Sequence, residues 1–323
     1  MRALITASIM ALAAIGTASA QSPDGGYPSK PIHLVVPYPA GGMPDRVARD
    51  VAQELQGRLN QPVIVENRSG ASGNIGFDYA MRQPADGYTL VLSPASNLAT
   101  QKALFKSLSY DPQRDFEVVS VLVEAPQILL VNPKVEAESV GQLIAFARAH
   151  PGKLSFGTTL GAFSHLAGEL MRTQEGISFA TIPYQGSNVA VRDLLGGQVD
   201  MMFYDSVGSI PLIRGGKVRA LGVASSTRLV ALPDVPTLDE AGIKGFEAIS
   251  WYALVTRTGT PDSVVDTLGK ELREILASPA FRKRYEEMGA STVSWTTKEA
   301  AAFVASETAK WTAVIKTAGV QAN

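Results

Sequence analysis

The chain has no cysteine among its 323 residues. That removes disulfides, thiolate catalysis and cysteine-based zinc sites together. It has three histidines, His33, His150 and His165. Their scatter along the chain does not fit the ligand spacing of a metal site. The formal net charge is -1, which argues against a nucleic-acid partner, since that requires a basic face. Beyond the first residues, no stretch reaches the roughly 18 consecutive apolar residues of a membrane-crossing helix.

The familiar catalytic signatures are missing too. No loop fits G-x-x-x-x-G-K-[ST], and Gly70, Gly73 and Gly76 are not spaced as G-x-G-x-x-G. No G-x-S-x-G nucleophile elbow occurs. Ser164 and His165 are adjacent, and adjacency alone does not set a base against a nucleophile.

What is present begins with a leader. MRALITASIMALAAIGTASA carries one Arg, an apolar run and then Ala18-Ser19-Ala20. This reads as a secretory signal cleaved after Ala20, with an uncleaved N-terminal anchor as the alternative. No Cys follows, so a lipid anchor on a mature N-terminal Cys is excluded. An exported, soluble chain with a bacterial-looking signal is expected in the periplasm.

The remainder alternates short β-rich runs with amphipathic helices. IHLVVP, PVIVEN, YTLVLS, ILLVNP, LSFGTT, FATIPY, VDMMFY and VRALGVA are the expected strands. Val47, Val51, Leu55 and Leu59 recur at four-residue spacing, with Ala48 and Ala52 beside them, and predict a helix over 45–59. Ser139 caps another, bearing Val140, Leu143, Ile144 and Ala147. The C-terminal part is helical over 263–277, 279–288 and 297–318. This order implies α/β domains with mainly parallel sheets. Val121–Val131 and Ile249–Val255 are apolar and extended, and are expected to cross between domains. The first domain is then discontinuous, 27–124 plus 248–323, and the second spans 125–247. A paired-strand hinge between α/β lobes is a natural place for a ligand cleft.

Five strand-to-helix junctions have small or hydroxylic residues: Tyr38–Asp45, Ser69–Gly76, Ser93–Asn97, Gly157–His165 and Tyr184–Asn188. In α/β domains ligands sit at such ends. The first N–H groups of a helix lack internal partners and face an anion well. Ordinary turn and cap chemistry explains any single one of these loops. Their repetition over both proposed lobes points to a binding cleft.

With these loops assembled, the chain resembles the periplasmic solute receptors of the tripartite tricarboxylate transporters, the Bug family. The resemblance rests on Tyr27–Ile32, Val36–Gly42 with Asp45, Val65–Arg68, Gly73–Gly76, Asp86–Leu90 and Tyr110–Pro112. It continues through His165–Leu170, Pro183–Ser187, Leu194–Asp200, Leu232–Thr237 and Glu240–Gly242. It implies a two-lobed periplasmic-binding-protein (Venus flytrap) fold with two hinge-crossing strands. It also implies capture of a small organic acid without cofactor or metal, and delivery to membrane permease subunits. A monomer is expected. By motif position the candidate ligand-binding residues are Tyr38, Ala40, Gly42, Met43, Pro44, Asp45, Ser93, Thr158, Phe163, Ser164, His165, Gly186, Ser187 and Asp205. His165 is either a ligand donor or a cap. Asp205 either orders a helix start or meets an amino or ring N–H group of the ligand.

Relatives usually carry Ser or Thr where this chain has Met43 and Pro44. Pro44 has no N–H to give an anion, and a thioether packs well on aromatic rings. Phe163 and Tyr204 could add apolar surface nearby. The pocket is therefore expected to suit an acid with an apolar or aromatic body, such as a terephthalate-like or nicotinate-like ligand, better than citrate. The alternative is that Met43 points into the domain core. A hydrolase or isomerase on the same cleft lacks any nucleophile–base pair. A periplasmic ligand sensor would share the pocket and differ only in its surface contacts.

Overall fold

The computed structural model describes residues 26–321. The expected leader and the cleavage after Ala20 lie outside the described residues.

The first lobe opens with strand β1 (Ile32–Val36), helix α1 (Met43–Leu59), β2 (Val63–Asn67), α2 (Asn74–Met81) and β3 (Thr89–Pro94). A π-helical turn at Ser96–Thr100 leads into two four-residue helices, α3 (Gln101–Leu104) and α4 (Pro112–Asp115). The 16-residue strand β4 (Phe116–Val131) then leaves this lobe. The second lobe holds α5 (Val140–Ala149), β5 (Ser155–Thr158), α6 (Phe163–Glu175), β6 (Ala180–Pro183), α7 (Ser187–Gly196), β7 (Met201–Asp205), α8 (Ser206–Arg214) and β8 (Arg219–Val223). Strand β9 (Ile249–Arg257) returns to the first lobe. There α9 (Asp262–Ala277), α10 (Pro279–Glu287), β10 (Ser291–Thr292) and α11 (Thr297–Ala318) complete the chain.

The spacing of apolar residues decides the helices. In α1, Val47, Ala48, Val51, Ala52 and Leu55 are buried on one side, and Asn60 ends the helix in the left-handed region at φ 50°. In α11 the Thr296 hydroxyl and the Glu299 carboxylate satisfy each other's backbone N–H groups, a capping box. The run FEVVSVLVEAPQILLV is β-branched and apolar through most of its length, and nearly all of it is buried.

The sheet order is β2-β1-β3-β9-β4-β7-β5-β6, with β8 and β10 also pairing with β4. Within each lobe the strands run parallel, β1 with β2 and β3, and β5 with β6 and β7. Every pairing that involves β4 or β9 is antiparallel. The sheet is thus mixed rather than mainly parallel, because the chain goes out along β4 and returns along β9. Residues Phe116 to Pro126 of β4 pair with β9, and Gln127 to Val131 pair with β7. One strand therefore belongs to both lobes; the expected crossings Val121–Val131 and Ile249–Val255 lie within β4 and β9, which extend beyond them.

Candidate functional site

The first loop follows β1. Gly41 takes φ 91°, which lets the chain turn back into α1. Gly42 precedes the helix, and no side chain caps it. Pro44 sits within the first two helical positions. Asp45 is buried and holds the turn together: it accepts from the Gly41 N–H at 3.0 Å, the Asn67 amide at 2.9 Å and the Arg49 guanidinium at 3.0 Å. The Arg49 bond, then the Gly41 and Asn67 bonds, bring its pKa down to about 2 against the penalty of burial. Its charge is therefore spent within the turn. Ala40 and Gly42 are exposed, while Met43 and Pro44 are half-buried.

The second loop is held from behind. Ala71 and Ser72 both have positive φ, 47° and 54°, which is uncommon outside glycine. Three side chains grip the Ser72 carbonyl: Tyr38 Oη donates to it at 3.3 Å, Asn97 Nδ2 at 3.1 Å and Gln101 Nε2 at 2.6 Å. Tyr38 also donates to Asn97 Oδ1 at 3.1 Å, and Tyr110 Oη to Gln101 Oε1 at 3.0 Å. A Cβ on Gly73 would lie 2.7 Å from Asn97 Nδ2, so this position needs glycine. The π-helical turn thus positions Tyr38. The sequence puts Asn97 in a junction and Tyr110 in a family motif, but it marks neither of them, nor Gln101, as holding Ser72, because their partners lie in other loops. Ser93 is fully buried, and its hydroxyl turns back on the Pro94 carbonyl at 3.0 Å.

In the second lobe, Thr158 and Ser164 share a hydrogen bond of 3.2 Å between β5 and α6, both buried. His165 accepts the Gly161 N–H on Nδ1 at 3.1 Å, so its proton sits on Nε2, 3.6 Å from Glu169 Oε1. Burial, then Arg172, lowers its pKa and keeps it neutral. His165 is a turn-holding residue in this structure. Gly186 and Ser187 open α7, again with no side-chain cap. Asp205 caps α8 through the Gly208 N–H at 2.8 Å, and burial raises its pKa. The capping alternative for Asp205 is what the structure contains.

So α1, α6 and α7 all begin without a side-chain cap. The helices α5, α8 and α11 are capped by Ser139, Asp205 and Thr296. Helices α9 and α10 also lack a cap, so the lack gains meaning only from where the helices point. Contacts between the lobes bear on the starts of α1, α6 and α8. Val207, at the start of α8, packs on the same core cluster as Tyr38, Met43 and Tyr252. Tyr252, on the crossing strand β9, has its pKa raised by burial first, then by Asp205 of one lobe and Tyr38 of the other. The Phe163 ring meets Trp311 of α11 edge-on at 4.7 Å. Gly161 approaches Leu104 of α3, whose Cδ1 lies 3.8 Å from where a Cβ would be.

Three buried polar atoms near these junctions have no hydrogen-bond partner among the described residues: Gln127 Oε1, Thr159 Oγ1 and Ser206 Oγ. Gln127 lies opposite Asp205 on the crossing strand β4, while Thr159 and Ser206 each follow a strand end. None of the fourteen candidate residues is Lys or Arg. The arrangement can offer backbone N–H groups, hydroxyls and a phenol to an anion, with no cation of its own. A separate cavity of roughly 170 Å³ sits by the crossing strands, lined by residues including Glu124, Arg228, Ile249 and Glu286, and takes in none of the fourteen. The candidate loops instead carry the contacts between the lobes made by Gly161, Phe163 and Val207.

Two α/β lobes joined by β4 and β9, with facing strand-to-helix loops, define a periplasmic solute-binding protein. The family model for the tripartite tricarboxylate transporter family receptor matches residues 47–320, and the chain belongs to that family. It is 38% identical to Protein BugT of Bordetella pertussis, over 96% of this chain and 95% of that one. A protein of R. palustris solved with adipate is 35% identical, covers 91% of this chain and 99% of its own, and superposes with a TM-score of 0.79. MatC from Rhodopseudomonas palustris, solved with bound malate, is 30% identical over 90% of this chain and 100% of its own, with a TM-score of 0.74. The periplasmic binding protein BugD is 36% identical over 91% and 99%, with a TM-score of 0.75. The chain is a solute-binding receptor of this family, and the family is one of receptors rather than enzymes.

Proposed function

We propose that this receptor captures a small carboxylate with an apolar body between its lobes and delivers it to the permease subunits of a tripartite transporter. The observation that carries the proposal is the position of Tyr252. It lies on the returning strand β9, packs on the same first-lobe core as Tyr38 and Val207, and has its pKa raised by Asp205 of the second lobe after burial. The N–H groups opening α1, α6 and α7 are the donors we assign to the ligand, since no side chain caps them. A carboxylate held by dipoles rather than by a cation is the matching ligand. The remainder of the fourteen candidates belong to this reading by their loops, with Thr158, Ser164 and Ser187 as hydroxyl donors and Asp45 and His165 holding the turns.

We assign the apolar body from the part of Met43 that the first-lobe core leaves uncovered. Met43 is half-buried and packs on the first-lobe core together with Tyr38, Tyr252 and Val207. A relative solved with adipate, a diacid with a four-methylene body, supports this choice. A relative solved with malate supports the wider carboxylate class. The lobes are assigned as 27–124 plus 248–323 and 125–247, the mature chain as starting after Ala20, and the working form as a monomer in the periplasm. A thermal-shift panel of adipate, malate, citrate, benzoate, nicotinate and terephthalate tests the proposal. A ligand at 100 times its dissociation constant adds about 2.7 kcal/mol to the folded state, a shift of a few degrees for a chain of this size. Shifts with apolar-bodied acids above those with citrate are expected. A response to citrate alone would overturn the apolar pocket.

A further inference from the structure

The contact between Phe163 and Trp311 joins a candidate ligand loop of one lobe to the last helix of the other. Phe163 is the first residue of α6, directly before Ser164 and His165. Trp311 is fully buried in α11, which belongs to the first lobe. Their ring centroids are 4.7 Å apart at 64°, an edge-to-face pair.

Trp311 is itself fixed. Its indole N–H donates to Glu307 Oε2 at 2.8 Å. The same oxygen accepts from Trp251 Nε1 at 3.4 Å. Lys310 pairs with the other carboxylate oxygen and also reaches the Glu247 carbonyl at 3.5 Å. Glu307 is only 6% exposed, so its charge is held by these three donors. Trp251 lies on the crossing strand β9, next to Tyr252, and faces the opposite side of the sheet. One residue of the hinge strand thus faces the candidate site and its neighbour anchors the Trp311 mount.

We infer that Trp311, held by Glu307 and Trp251, is a latch that positions the Phe163–His165 loop when the lobes are together. The aromatic edge docks only while α6 lies against α11, so separating the lobes exposes both rings. The latch therefore biases the lobe equilibrium toward the arrangement in which the α6 N-terminus faces the first lobe. Its purpose rests on the receptor reading, whereas the contact itself does not. Trp251 and Trp311, two of the chain's three tryptophans, belong to this assembly.

The chain's lack of cysteine allows a direct test. Spin labels on Gln53→Cys and Arg192→Cys, both exposed and one in each lobe, report the interlobe distance by double electron–electron resonance. In the ligand-free protein, Phe163→Ala should lower the ratio of lobes-together to lobes-apart molecules about tenfold. Phe163→Leu keeps apolar bulk and should give a smaller fall, and it carries the test if the alanine variant does not fold. Glu307→Gln removes the charge that holds both indoles and should give a partial fall. An unchanged distance distribution in folded Phe163 variants would overturn the latch. An unchanged distribution in Glu307→Gln would remove Glu307 from it. Adding adipate separates the two ideas. If adipate and the other panel acids leave wild type unmoved while Phe163→Ala still opens it, the ligand reading fails and the latch stands.

Discussion

Asp45 and His165 occupy the same position in the two lobes. Each is the third residue of the helix that follows a strand-to-glycine turn. Each accepts the N–H of the glycine four residues earlier, Gly41 at 3.0 Å and Gly161 at 3.1 Å. One is a carboxylate held charged by Arg49, and the other an imidazole held neutral by burial. Both spend their acceptor on the turn and leave the following helix start open. The two walls of the cleft thus solve one loop problem with different chemistry.

This gives His165 a defined pH signature. Its folded pKa lies below 6.5, so the unfolded chain binds a proton that the folded chain refuses. The stability it contributes is present above 6.5 and is lost as pH falls toward the folded value. Denaturant titrations at pH 7.5 and 5.5 should show wild type losing more stability than His165→Gln across that interval. Equal losses would contradict the assignment.

Glu124 works in the opposite direction. Burial, then Glu307 and Glu247, raises its pKa from 4.5 to about 7. Between those values the folded chain keeps a proton that the unfolded chain releases, so stability falls as pH rises through the window. The full shift is worth at most roughly 3 kcal/mol. Glu124→Gln should therefore gain melting temperature relative to wild type at pH 8 and little at pH 4.5. A gain that is the same at both values would show that the carboxyl titrates normally.

Much of this was legible in the residues, and the exceptions have physical causes. The apolar crossings were visible because a strand buried on both faces needs an unbroken run of β-formers. The run into β4 starts at Phe116, earlier than the expected crossing at Val121, because its first half pairs with β9 on the way to the hinge. Helix α1 starts at Met43, ahead of the apolar periodicity that begins at Val47, since residues of a first turn need not face the core. Tyr252 was hidden in an apolar strand, where alternation alone does not say which face meets the other lobe. Asn97, Gln101 and Tyr110 were hidden because they act on Ser72, a backbone carbonyl with no sequence signature.

Tyr252→Phe separates site from scaffold. The ring remains on the first-lobe core, and only the hydroxyl is lost. A hydrogen bond to a charged group is worth about 1.5–3 kcal/mol, so carboxylate affinity should fall tenfold or more while the melting temperature of the free protein holds. Unchanged affinity by calorimetry would place the ligand elsewhere.

Replacing Met43 and Pro44 together by Ser and Thr tests ligand character. The change adds hydroxyls and one N–H to the start of α1 and removes a thioether that packs on the first-lobe core. Affinity for an apolar-bodied acid should drop, and affinity for citrate should rise relative to it. No change in either would show that Met43 serves only the domain core.

The central claim, carboxylate capture by neutral donors around an apolar wall, is tested most directly by isothermal titration calorimetry of the purified chain with adipate, terephthalate and citrate at several temperatures. The account predicts binding of one molecule per chain for at least one apolar-bodied diacid, tighter than citrate, with a negative heat-capacity change from buried apolar surface. Tight citrate binding with no binding of either apolar-bodied acid, or no binding of any of the three, would contradict it.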